Sequence, residues 1–199
     1  MRKFFCLLLC FCLISSLFAK ESYRIGDIGE GGGIVFYHDE DGFKVYDGMG
    51  GYEICHYLEM SYICLGSSQW LPDYVFVGFT RTEIGYGKAN TYRILETASH
   101  LELDKENCAA YKASQYYSSS TEGEWFLPSY DELRLIYDNA WEYLEAGLRH
   151  GGGGGYSAWS SSQIDKERAF VRFSEMGGYD EDELQSKDYW WQVWAVHAF

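Results

Sequence analysis

The chain has 199 residues, of which 16 are basic and 30 acidic, for a formal net charge of −14 and a pI near 4.7. With 47% apolar residues, including 12 Phe, 7 Trp and 18 Tyr, it can bury the core of one ordinary domain, which excludes a disordered chain. The acidic balance excludes a surface built to grip nucleic-acid phosphates, and two prolines with no heptad repeat exclude a collagen-like or coiled-coil stalk.

In chain order, Met1-Arg2-Lys3 is a short basic start. Phe4 to Phe18 is an apolar run broken only by Ser15 and Ser16, and Ala19 is a small residue suited to a cleavage site. This predicts an export signal over residues 1–19, because the run is shorter than the roughly 20 residues a membrane span needs. The mature chain, 20–199, then reads as a single domain with 14 basic and 30 acidic residues, a net charge of −16. Its expected location is the periplasm, the outer surface or the medium, with no membrane span after cleavage.

Cys6, Cys10 and Cys12 leave with the signal; Cys55, Cys64 and Cys108 remain. Three thiols in an oxidising compartment predict one disulfide and one spare thiol. Cys55 with Cys108 is the preferred pair, since closing the longer loop constrains the unfolded chain more than joining Cys55 to Cys64. No CxxC or paired Cys/His spacing points to zinc.

Gly33–Tyr37 and Phe43–Tyr46 read as two strands of a hairpin around the turn-rich residues 38–42. Tyr52–Met60 alternates as a third strand, with Ile54, Leu58 and Met60 on one side and Glu53 and Glu59 on the other. Asn90 is placed to cap a helix to about Ser99, and Asp104 to cap another through Ala113. Ser129 and Glu132 form a capping box for a helix whose stripe is Leu133, Ile136, Tyr137, Ala140, Trp141 and Leu144, ending near Gly147. After the five glycines of 151–155 come extended runs at Tyr156–Ser161, Ala169–Phe173 and Trp190–Phe199. Strands, then helices, then strands predict an α+β fold.

The chemistry-bearing motifs are few. Gly29-Glu30-Gly31-Gly32-Gly33 precedes a strand, whereas a phosphate cradle follows one, so it reads as a structural turn. Gly85–Thr91 lacks the Walker spacing. The five histidines show no HExxH pattern, and the serine runs 118–120 and 160–162 lie outside any GxSxG elbow. No cofactor is implied. Calcium is conceivable at Asp180-Glu181-Asp182-Glu183, although EF-hand spacing is missing.

Several segments together resemble one bacterial family. They are Tyr23-Arg24-Ile25-Gly26-Asp27 leading to Gly31–Tyr37; Ile84-Gly85-x-Gly87-Lys88-x-Asn90-Thr91; Glu124-Trp125-Phe126-Leu127-Pro128-Ser129-x-Asp131-Glu132-Leu133; Trp159-Ser160-Ser161-Ser162; and Val196-x-Ala198-Phe199. In this order they are similar to the C-terminal domain family of the Lcl collagen-like adhesin, itself akin to the Fibrobacter major paralogous domains. The resemblance implies a C-type-lectin-like α+β fold, an antiparallel sheet with two or three helices and long irregular loops, an extracytoplasmic setting and an adhesin-like, carbohydrate-binding role that, where function is known, is adhesion through glycosaminoglycans. The chain departs from the adhesin in lacking a collagen-like stalk. It also lacks the Glu-Pro-Asn and Gln-Pro-Asp triplets of calcium-dependent lectins.

The resulting expectation is a non-enzymatic binding module for a neutral or cationic glycan, or for a protein. Sulfated polyanions are disfavoured by the charge. The expected surface joins Tyr179, Asp180 and Asp182 to Trp159, Trp190 and Trp191, for ring stacking and carboxylate hydrogen bonds. The alternatives are a carbohydrate-active enzyme with paired carboxylates and a purely structural envelope protein.

Overall fold

A computed structural model of the chain describes residues 22–118, 124–140, 142–143, 157–174 and 180–199. The expected signal, Trp141, Leu144, Gly147 and Tyr179 lie outside them. Among the described residues the fold is α+β, with three helices and two sheets.

The smaller sheet orders β1 (Ile34–Tyr46), β2 (Tyr52–Met60) and β8 (Val196–Ala198), all antiparallel. The expected hairpin within 33–46 does not form. β1 runs through residues 38–42 as one irregular strand, stepping from the pair His38–Tyr57 to the pair Phe43–Cys55. The hairpin turn lies instead at residues 47–51, where Gly48 and Gly50 take φ of +83° and +105°. Asp47 Oδ1 accepts from the amides of Met49 (2.7 Å) and Gly51 (3.0 Å) and closes that turn. The irregularity at 38–42 absorbs surplus residues that sequence reading took for a turn.

The larger sheet orders β3 (Ser67–Ser68), β7 (Trp191–Gln192), β4 (Ala158–Gln163), β5 (Arg168–Ser174) and β6 (Asp180–Ser186). The expected terminal strand is thus two short strands in different sheets. Val193, Trp194 and Ala195 between them are fully buried, Val193 and Ala195 in the large-sheet core and Trp194 in the small-sheet core.

α1 (Gly87–His100) and α2 (Ala109–Ser114) pack over the large-sheet core, and α3 (Tyr130–Asn139) over the small-sheet core. The Ser129 capping box forms as expected: Glu132 N donates to Ser129 Oγ at 3.3 Å and Ser129 N to Glu132 Oε2 at 2.7 Å. Leu133, Ile136, Tyr137 and Ala140 are its buried stripe. The other two caps differ. Asp104 closes a turn ahead of α2, accepting from Glu106 N, while Cys108 stands at the N-cap. Asn90 lies inside α1, buried, and bonds elsewhere.

The motifs scattered along the sequence meet in one hydrogen-bonded knot. Glu132 Oε1 accepts from Gly85 N at 2.8 Å, and a Cβ on Gly85 would collide with Lys44 O. Asn90 Nδ2 donates to Ser161 Oγ, Leu127 N to Thr91 Oγ1, and Ser161 N to Pro128 O at 2.7 Å. The indoles of Trp70 and Trp159 tie the β3 segment to β4 across the intervening β7, donating to Ser160 O and Ser68 O. These residues are scaffold.

The expected Cys55–Cys108 disulfide is not formed. Cys55 belongs to β2 in the small sheet. Cys108 is sealed in the large-sheet core with its thiol donating to Trp70 O. The proposed benefit concerned the unfolded chain, whereas native geometry decides whether two sulfurs can meet.

Candidate functional site

The sequence-selected surface does not assemble around Trp159, which has 0% exposure in the core. Trp191 is half-buried and packs edge-on against Phe173, with ring centroids 4.9 Å apart. Trp190, just ahead of β7, is 54% exposed, so the two neighbours do not share one environment. Asp180 and Asp182 lie on the backbone of β6, opposite Ser174 and Arg172, at the edge of the sheet. An acidic edge resists pairing with another chain.

A different feature stands out beside the ends of β4 and β6. Residues 71–86 connect β3 to α1 without helix or strand, yet they are tied down from beneath. Lys187, fully buried, donates from Nζ to Val75 O (2.8 Å) and Gln163 Oε1 (2.6 Å). The same ammonium sits 4.3 Å over the Trp70 ring. Burial pushes its pKa down to about 7, although Asp165 opposes this. Gln163 Nε2 donates to Gly78 O, and Gln163 N to Thr80 Oγ1 at 2.8 Å. Asn90 accepts from Arg81 N and donates to Arg81 O (2.7 Å), and Ser162 Oγ donates to the same oxygen (2.7 Å). Polar side chains of α1, β4 and the β6–β7 segment therefore replace the ladder bonds an irregular segment lacks.

What this pinned loop holds up is apolar and basic. Phe79 is 83% exposed, and Phe76 meets it edge-on with centroids 5.7 Å apart. Behind Phe79 opens a cleft of about 330 Å³. The β1–β2 turn supplies Gly48, Gly50 and Gly51, and the end of β1 supplies Tyr46. Phe79 and Arg81 come from the loop, and Tyr86 and Arg93 from the start of α1 and its second turn. Among the described residues, no Asp or Glu lines it.

The aromatic rings beside the cleft form a ladder. Tyr86 stacks on Tyr46 at 4.3 Å, and Tyr46 tilts against Tyr52 at 5.9 Å. Arg81 covers the Tyr86 end at 5.2 Å and Lys44 the Tyr52 end at 4.3 Å. Burial and a hydrogen bond to Tyr46 hold the Tyr86 phenol above its ordinary pKa, so it stays neutral. The Arg81–Glu83 pair, at 3.5 Å, joins two side chains that are each more than half exposed and is screened by water. Sequence reading missed this site because the glycine turn at residues 46–51 lies far in sequence from residues 79–93. The visible trace was Asp47-Gly48-Met49-Gly50-Gly51 between two tyrosine-bearing strands.

Buried carboxylates occur elsewhere, but backbone donors occupy them. Glu59, 0% exposed, accepts from Gly31 N (2.5 Å) and Gly33 N (2.6 Å) and from His197. Its loop is the expected structural turn. Among the described residues no cluster of three or more His, Cys, Asp or Glu could hold a metal, and no helix is long and apolar enough to cross a membrane.

No protein-family model matches the chain, and no curated protein matches it. Among solved structures it is similar to a fimbrial protein from Bacteroides ovatus, with a TM-score of 0.56 and 14% identity over 89% of this chain and 49% of that one. The chain spans about half the length of the fimbrial protein, and at this identity the likeness is one of fold.

Proposed function

We propose that this chain is an exported, non-enzymatic binding module of the cell envelope that takes a glycan in the cleft behind Phe79. The observation that carries this reading is an almost fully exposed aromatic ring on a loop that buried polar side chains hold rigid. An exposed Phe gains nothing in water, whereas a rigid ring beside a cleft gives a stacking platform at little ordering cost on binding. Export is supported by the basic-apolar start of the sequence, and an envelope role by the fold likeness to a fimbrial protein. A binder is favoured over a hydrolase because the oxygens of Glu59 and Glu132 are already taken by backbone amides. The C-type-lectin-like description and kinship with the Lcl C-terminal family belong to this proposal. Their support is the motif order together with a long irregular segment that carries the surface.

The test is a combined glycan and protein array probed with residues 20–199 and with its Phe79→Ala variant. A glycan signal lost in the variant supports the reading. A glycan signal that Phe79→Ala leaves untouched, or signal confined to protein spots, overturns the cleft as a glycan site.

A further inference from the structure

Resting on that glycan reading, we infer that the cleft selects a sugar bearing a carboxylate, at the end of a chain rather than within a polyanion. The first ground is charge. The chain as a whole is strongly acidic, yet two arginines and, among the described residues, no acid line this cleft. Net charge predicts a neutral or cationic ligand; the cleft differs because folding gathers Arg81 from the loop and Arg93 from α1 around the glycine turn.

The second ground is the orientation of the aromatic ladder. An aromatic ring is electron-rich on its faces and electron-poor at its edges. Here the faces are consumed: Tyr46 and Tyr86 cover each other, Arg81 lies over Tyr86 and Lys44 over Tyr52. The ladder therefore has few electron-rich faces left to offer a cationic ligand. Arg81, over the Tyr86 ring, spends Nη1 on Glu83 and has its remaining N–H groups for an acceptor, and the planar fork of Arg93 matches a carboxylate in two-point contact. Phe79 is the one lining ring this exposed, suited to the C–H face of a pyranose.

The third ground is size and surroundings. At about 330 Å³ the cleft is at the small end of ligand pockets, enough for one or two rings. A long sulfated polymer would meet the acidic surface beyond it and be repelled.

The test is an NMR titration of the mature protein with matched probes: glucuronate-terminated disaccharides, their glucose-terminated counterparts, and heparin. The amides of Gly48, Gly50 and Gly51 report the cleft. The acidic disaccharides should shift these amides and bind roughly tenfold or more tighter than the neutral ones, the gain expected of a charge-assisted hydrogen bond. Arg93→Gln and Arg81→Gln, each checked for an unchanged melting temperature, should erase that preference. Equal shifts by acidic and neutral sugars, or preference for heparin, would overturn the carboxylate inference and leave a glycan cleft standing. No movement of the glycine amides with any probe would overturn both.

Discussion

His197 places Nδ1 2.7 Å from Glu59 Oε1, although 138 positions separate the two in sequence. Its Nε2 lies 3.1 Å from Glu124 Oε2, so one imidazole bridges a buried carboxylate and a surface one. Since Glu59 also accepts from the amides of Gly31 and Gly33, β8 is tied to the loop that precedes β1 through a single acid. Burial alone would lower the pKa of His197, but the hydrogen bonds and charges of Glu59 and Glu124 outweigh it and hold it above its ordinary value.

A folded-state pKa raised above the unfolded one means stability present below about 6.5 and lost as pH rises through the folded value. The stability difference between wild type and His197→Gln should therefore shrink as pH is raised from about 6. Urea unfolding of both proteins across pH 5–9 measures it. A difference independent of pH would show that the imidazole bridges the carboxylates without its charge.

Glu132 should behave with the same sign in a different window. Burial pushes its carboxyl up to about 7 against the hydrogen bonds from Ser129, Gly85 and Gly87. Its contribution is full below about 4.5 and lost as pH rises through about 7. Glu132→Gln should flatten that part of the pH profile. Glu132→Ala should cost more than about 2 kcal/mol, because buried amides are left without an acceptor.

The capping box predicts separable effects on stability and binding. Ser129→Ala should cost about 1 kcal/mol through the lost cap. Leu133→Ala should cost about 2–5 kcal/mol, Leu133 being wholly buried. Ligand affinity of the folded variants should not change, since neither residue lines the cleft. Intact stability with lost binding would make this segment the site.

Lys187 should act on the cleft from beneath it. Its folded pKa of about 7 lies below the ordinary value near 10.5, so the unfolded chain holds the proton more tightly. Stability should rise between about pH 7 and pH 10.5, and Lys187→Met should remove that rise. The variant should also speed amide hydrogen exchange at Val77 and Gly78 and weaken ligand binding, although Lys187 does not line the cleft. Unchanged exchange at those amides would count against the pinned-loop account.

Cys108 should be inert in the native protein. Burial raises its thiol pKa to about 11, and the thiolate is the reactive form. Alkylation monitored by mass spectrometry should therefore label Cys108 only on unfolding. A non-reduced peptide map should contain no Cys55–Cys108 link.

Local features of the sequence were readable because their physics is local. A serine three residues before a glutamate satisfies amides within one turn, and the stripe of Leu133, Ile136 and Ala140 follows from helical period alone. The α+β layout followed from the order of such segments. Residues 38–42 misled for the same reason: turn-prone residues look alike in a turn and in an irregularity within a strand. Asn90 misled because a side chain that can cap a helix can equally clamp a distant loop. The cleft was beyond local reading. It needs residues 46–51, 79–81 and 86–93 brought together, and the lysine that holds its wall lies about a hundred residues further on. Which aromatics are exposed was likewise a tertiary matter. Trp159 and Phe79 have similar chemistry, and only the packing of α1 and α2 over the large sheet buried one and left the other in water.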